Sequence, residues 1–278
     1  MRDLPLGVFD SGLGGLTVVR ALRDNFPNER ITYLGDNARV PYGTRSAETV
    51  TRYAEGCARV LSRRGVKALI VACNTVSAVA LEFLRERLDM PVLGVVEPGA
   101  RAALSALHAG QTAAPRIGVL GTAGTVSSGA YPRAVGQLSP RHEVIAYAAP
   151  LLVPLVEEGW IDGEVPRLVV RKYVAPLVEA GVSVIVLGCT HYPLLAPLIA
   201  EEAARLAGHP IPVVDSAAAT AEAVRTWFSE ERVPRTAQNT GGELELLVTD
   251  RPQSFGVVAQ RFLREPLPPV ELIDLPTS

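Results

Sequence analysis

The chain is short of several things, and each shortage excludes something. Only three of its 278 residues are cysteine (Cys57, Cys73 and Cys189), too few for a disulfide framework. Lysine is nearly missing: Lys67 and Lys172 stand alone among 27 basic residues. Lys67 precedes a strand-like run and Lys172 lies in a helical stretch, so neither sits where a ligand would be held. That argues against the Schiff-base lysine of pyridoxal phosphate chemistry. No apolar run reaches the roughly 18 residues of a membrane span, because charges interrupt every hydrophobic stretch. Neither sign of charge dominates, and a net charge of −2 weighs against a nucleic-acid binder. Met1-Arg2-Asp3-Leu4 leads at once into strand-like sequence and leaves no room for a signal peptide, so the expected compartment is the reducing cytoplasm. The histidines (His108, His142, His191 and His209) form no CxxC or HExxH spacing, and no metal site is expected. Gly12-Leu13-Gly14-Gly15 stops short of a dinucleotide fingerprint, which would need glycine where Thr17 stands.

What remains is ordinary globular composition, 48% hydrophobic and 20% charged, enough for one large domain or two smaller ones. Apolar runs of four to seven residues alternate with longer periodic segments. The runs at 6–9, 31–34, 68–72, 92–96, 117–120, 144–146, 184–187 and 212–214 read as strands. Helices are expected over 16–25, 47–62, 77–88, 99–108, 131–137, 164–179, 194–206 and 217–229. Alternating order with continuous apolar strands predicts an α/β fold of mostly parallel sheets flanked by helices. Pro266, Pro268, Pro269 and Pro276 mark a tail expected to be loose.

The chain also echoes itself. Leu6-Gly7-Val8-Phe9 matches Ile117-Gly118-Val119-Leu120, the stretch ending in Cys73 matches the one ending in Cys189, and Pro91-Val92 matches Pro212-Val213. The three echoes occur in order with slowly growing offsets, which predicts two pseudo-symmetric units. Ligands of parallel α/β sheets gather at the carboxyl ends of strands. The candidates there are Asp10-Ser11, Asp36-Asn37, Cys73-Asn74-Thr75, Glu97, Thr122, Cys189-Thr190-His191 and Asp215.

Cys73 and Cys189 hold equivalent places, each after an apolar strand and before a polar pair and a helix, where a thiolate is favoured. A lone buried cysteine is usually a small hydrophobe, and Cys57, inside a helical repeat, is read that way. A matched pair suits inversion at carbon: one base takes a proton from one face while the opposed acid delivers one to the other. Asp10 and His191 are placed to help move those protons. A turnover near 10 per second allows a barrier of about 16 kcal/mol. A site without a cofactor must therefore stabilise the developing carbanion with preorganised donors. Ser11, Asn74, Thr75, Thr122, Thr125 and Thr190 are suitable neutral donors, although a Ser or Thr in such a place is commonly a cap. A two-lobed solute-binding module that closes on an anion also explains duplication and a cleft, but leaves two matched thiols idle.

In order along the chain, Gly7-Val8-Phe9-Asp10-Ser11-Gly12-Leu13-Gly14-Gly15-Leu16, Pro41-Tyr42-Gly43, Ala72-Cys73-Asn74-Thr75, Gly121-Thr122 with Thr125, Leu155-Val156-Glu157 and Leu187-Gly188-Cys189-Thr190-His191-Tyr192-Pro193-Leu194 resemble the signatures of the cofactor-independent glutamate racemases, within the aspartate/glutamate racemase superfamily. The resemblance runs from about residue 5 to 263. It implies interconversion of L- and D-glutamate, with D-glutamate supplied for peptidoglycan. It implies Cys73 and Cys189 as the catalytic pair, assisted by Asp10 and His191. It implies substrate contacts from Asp10, Ser11, Tyr42, Gly43, Asn74, Thr75, Thr122, Thr190 and His191, with Pro41, Thr125 and Glu157 in support. It implies a first α/β domain from 1–97 plus 213–278, a second from 98–212, and the active site in the cleft between them. Glutamate is then the one small-molecule partner, with no cofactor, and a homodimer is the assembly to be considered. A racemase of aspartate and a one-cysteine decarboxylase relative are the near alternatives; the presence of both cysteines disfavours the second. The departures are the proline-rich tail and the lack of a long N-terminal extension, which removes support for regulation by a cell-wall precursor.

Overall fold

A computed structural model describes residues 2–107, 115–236, 241–250 and 255–275; His108 and Pro276 lie outside the described residues. The first half runs β1 (Leu6–Asp10), α1 (Leu16–Asn25), β2 (Ile31–Gly35), α2 (Ala47–Arg63), β3 (Ala68–Val71), α3 (Asn74–Val79), α4 (Leu81–Arg87), β4 (Val92–Gly94) and α5 (Val96–Ala106). The second runs β5 (Arg116–Gly121), α6 (Ala123–Ser127), α7 (Ala130–Leu138), β6 (Val144–Ala148), α8 (Leu152–Glu157), α9 (Glu164–Glu179), β7 (Val182–Gly188), α10 (Ala196–Ala207), β8 (Val213–Asp215) and α11 (Ser216–Ser229). The chain then adds β9 (Leu244–Val248), α12 (Phe255–Leu263) and β10 (Val270–Leu272).

Two sheets result, and every strand pairing described is parallel. Their orders are β10-β9-β2-β1-β3-β4 and β6-β5-β7-β8. The run β2-β1-β3-β4 and the run β6-β5-β7-β8 are the same arrangement, with β1 matching β5 and β3 matching β7. The sequence echoes are therefore structural equivalents, and equivalent strand ends carry Cys73 and Cys189.

Period-two alternation explains the layers. In β1 and β3, Leu6, Val8, Ala68 and Ile70 face a core shared with Leu16, Val19 and Leu22 of α1, while Phe9, Leu69 and Val71 face one shared with Val50, Ala54 and Leu61 of α2. Cys57 is fully buried in that second core, as its helical spacing predicts. In the other sheet Val184 and Val186 face Val96, Ala100 and Ala103 of α5. Ile185 and Leu187 join the same continuous core as α1. The buried Lys67 ammonium pairs with Glu29 and donates to Thr236 Oγ1 at 3.0 Å. That is an anchor far from the strand ends that carry the cysteines.

Four expectations need correcting. The first-domain segment expected to resume at 213 resumes later, because Val213–Asp215 is the edge strand of the second sheet, the counterpart of β4. The tail is not loose at Val270–Leu272, which extends the first sheet beyond β9. The helix expected at 77–88 is two helices meeting at Ala80. Cys189 is not followed directly by a helix: Tyr192–Leu195 forms a single 3-10 turn carrying Pro193, and α10 begins after it. Among the described residues no helix is long and apolar enough to cross a membrane.

Candidate active site

The strand ends of the two sheets bring the candidate side chains together. Asp10 ends β1 and is wholly buried. Its Oδ2 accepts the Gly12 N–H at 3.1 Å, while Oδ1 has no well-aligned partner. Burial pushes this carboxyl up; the nearby His191 charge and the N–H groups of Gly15, Gly12 and Ser11 pull it back only in part. Cys73, the residue before α3, is 5% exposed. Its thiol lies 3.5 Å from Ser11 Oγ. Burial first, then the Asp10 charge, push that thiol up to about 12, against the Ser11 hydroxyl and the Val76 N–H, which pull it down. The Cys189 charge acts in the same upward direction, so the two sulfurs lie within electrostatic reach of each other.

Cys189 directly follows β7 and is 6% exposed. His191 sits two residues on, with Nδ1 3.9 Å from Cys189 Sγ and 3.5 Å from Thr190 Oγ1, and Nε2 3.1 Å from Glu157 Oε1. Burial alone would lower this imidazole. The bonds to Cys189 and Glu157 override it and hold the group charged, up to about 10. The surroundings of the two thiols therefore differ: the Asp10 carboxyl stands beside one and the His191 cation beside the other.

Neutral donors line the rest. Thr75 Oγ1 lies 2.9 Å from Thr122 Oγ1 and 3.3 Å from Thr125 Oγ1, and Thr122 and Thr125 are 3.0 Å apart. This hydroxyl triangle joins the end of β3 to the end of β5. Thr122 also caps α6, accepting the Thr125 N–H at 3.2 Å. Asn74 is buried and held rigidly: Tyr131 Oη donates to its Oδ1 at 2.8 Å, and its Nδ2 approaches Ser216 Oγ at 3.5 Å. Gly43 packs so closely on Thr122 that a Cβ there would stand 2.8 Å from the threonine Cβ. Pro41 precedes the 3-10 turn Tyr42–Thr44. The Tyr42 hydroxyl, however, is committed elsewhere: it donates to Asp36, which also takes Arg39 Nε at 2.6 Å and Thr249 Oγ1 at 2.9 Å.

Some strand-end candidates lie apart. Glu97 pairs with Arg101 on the surface of α5. Asp215 caps α11, accepting the Ala217 N–H at 2.8 Å. Asn37 is tied to Thr249 and Asp250. Other supporting residues gave no strand-end signal. Tyr131 and Ser216 hold Asn74. Thr17 bridges Gly14 O (2.9 Å) and Thr190 O (3.2 Å). Gly14 approaches so closely that a Cβ there would stand 2.2 Å from Thr190 Oγ1. Tyr192 Oη donates to Ala149 O at 2.7 Å. Only the glycine run Gly12-Leu13-Gly14-Gly15 hinted at such crowding. Among the described residues no three His, Cys, Asp or Glu side chains are grouped to hold a metal ion.

The chain is similar to known proteins over nearly its whole length. Residues 16–224 match the sequence model of the Asp/Glu/Hydantoin racemase family. A glutamate racemase of Geobacter metallireducens is 47% identical over 258 residues, covering 93% of this chain and 92% of the relative. The crystal structure of a Bacillus anthracis glutamate racemase isoform superposes with a TM-score of 0.91 at 35% identity, covering all of both chains. That of a Francisella tularensis glutamate racemase in complex with D-glutamate gives 0.87 at 32% identity, covering 99% of this chain and 98% of the other.

Proposed function

The chain belongs to the Asp/Glu/Hydantoin racemase family, and on that premise we propose that it interconverts L- and D-glutamate without a cofactor, Cys73 and Cys189 exchanging protons with the α-carbon from opposite faces. The observation that carries this reading is the pair of buried thiols on equivalent strand ends, each with its own acid–base neighbour.

The chemistry follows from those neighbours. A cation 3.9 Å from the Cys189 sulfur stabilises negative charge there, and burial beside a carboxylate keeps Cys73 as the neutral thiol. From that state the Cys189 thiolate takes the α-proton, forming an S–H bond and leaving the C–H electron pair on the α-carbon. Cys73 delivers its proton to the opposite face and becomes the thiolate, next to Asp10. The reverse direction runs from the mirror state. Backbone N–H groups and the hydroxyls of Ser11, Thr75, Thr122 and Thr190, with Asn74, hold the substrate carboxylates and the charge that spreads onto one of them. Gly43 and the Tyr42 backbone shape one wall, with Pro41 and Thr125 behind them; Glu157 orients His191.

We place the substrate between two domains, the first built from residues 1–97 with the segment after β8 and the second from the stretch between. The product D-glutamate supplies peptidoglycan synthesis in the cytoplasm, by a homodimer. The test is to give the purified protein each enantiomer of glutamate and of aspartate in D2O, with no cofactor, and follow circular dichroism. Glutamate should lose its signal from either enantiomer, with deuterium at the α-carbon of the first product. Silence with glutamate overturns the reading; faster turnover of aspartate moves the substrate; protium-rich early product points to one shuttling base.

A further inference from the structure

One helix touches the site from the far end of the chain and has no part in the proton transfers above. α12 lies against His191: the fully buried Phe262 ring meets the imidazole edge-to-face, centroids 5.1 Å apart at 81°. The preceding residue, Arg261, donates from Nη1 to the main-chain oxygen of Glu157 at 2.7 Å. Gly159 makes this contact fit. Its φ is +78°, and a Cβ there would stand 2.6 Å from Arg261 Cζ. α12 is in turn tied to α1, where Arg20 Nη1 donates to Phe262 O at 3.2 Å.

Glu157 needs such help. It ends a helix of six residues, and its side chain is 47% exposed. An exposed carboxylate pays side-chain entropy to hold one rotamer, and a pair made that way is weak unless its geometry is fixed from outside. Arg261 fixes the backbone of the carboxylate; Phe262 fixes the ring that it meets. We propose that Arg261 and Phe262 are positioning residues that lock the Glu157–His191 pair, so that α12 governs the charge on the imidazole beside Cys189. This rests on the reading of His191 as partner of a proton-transferring Cys189. The other groups facing His191 are Cys189 and Thr190 on its own loop and Asp10 from β1.

The sign of one measurement separates this role from others. Loosening the pair takes a carboxylate from the imidazolium, so Arg261→Met should make His191 titrate at lower pH. If Arg261 acted only as a nearby cation, its removal would raise the titration instead; if it were only structural, nothing would move. Histidine-labelled NMR reads this directly, with four histidines in the chain and His191→Asn to assign the signal. We expect a fall of about one pH unit in Arg261→Met, the size of one lost charge-assisted bond, and a smaller fall in Phe262→Leu. In the racemisation assay kcat should drop about tenfold with KM within about twofold, and Arg261→Met should add nothing in a Glu157→Gln background. An unchanged or raised His191 titration, or additive losses, overturns the inference. The NMR titration stands whether or not glutamate is turned over, so a wrong substrate and a wrong role for α12 give different results.

Discussion

The hydroxyl of Thr75, at the end of β3, lies 2.9 Å from that of Thr122, at the end of β5, so the two sheets meet through a hydrogen bond between their strand ends. Each hydroxyl can turn from its neighbour to a bound carboxylate without leaving a buried group unpaired. Thr75→Val should raise KM for glutamate about threefold to tenfold, the range of one neutral hydrogen bond, with kcat nearly kept. The Thr75→Val/Thr122→Val double variant should lose less than the sum of the singles. Steady-state kinetics in both directions check this; an unchanged KM removes Thr75 from substrate binding.

In the proposed reaction each sulfur serves one face of the α-carbon. Cys73→Ala and Cys189→Ala should each abolish racemisation while shifting the melting temperature by no more than about 5 °C, since each removes one small buried atom group. Near-normal turnover in either variant would remove the two-base mechanism.

Gly14 is a test of crowding. Gly14→Ala would put a methyl carbon 2.2 Å from Thr190 Oγ1 and 2.5 Å from His191 Nδ1, and the loop of Thr190 and His191 must retreat. Activity should fall at least about a hundredfold, as expected when a catalytic group shifts by about 1 Å, with secondary structure unchanged by circular dichroism. Activity within a few-fold of the parent would show that the approach is looser than the structure has it.

Far from the pocket, the buried carboxylate of Glu202 takes Arg171 at 2.8 Å and Arg167 and Arg205 at 2.9 Å each. Hydrogen bonds from Arg171, Arg205 and Arg167 outweigh burial and hold it down at about 2. A carboxyl lowered on folding contributes stability that is complete above its unfolded value near 4.5 and is lost as pH falls through about 2. The melting temperature should therefore drop between pH 4.5 and 2, and Glu202→Gln should flatten part of that drop while lowering stability at pH 7. A Glu202→Gln profile parallel to the parent's in that window would show that the cluster is not what titrates.

The architecture was legible because its signals are local. The continuous apolar runs Leu6–Phe9 and Val184–Leu187 and the helical spacing in 47–62 and 164–179 can be read within a few residues; the runs are buried, and each helix buries one face. β9, α12 and β10 were not read as elements; α12 and β10 are short and sit among prolines and loops, and the pairing of β9 with β2 joins residues more than 200 positions apart. Tyr42 shows the limit for the site. Its place in Pro41-Tyr42-Gly43 suggests a substrate contact, and only the fold shows its hydroxyl turned to Asp36.

The sequence by itself determined the parallel α/β class, the duplication, and which residues stand at strand ends, because each depends on periodicity and order along one backbone. Tertiary structure alone decided what those strand ends confront. Glu157 meets His191 across 34 positions, Phe262 meets it across 71, and the carboxylate of Asp10 and the imidazole of His191 come to flank different thiols. Such meetings are set by how two sheets and a returning helix pack, and packing joins residues that no local pattern links.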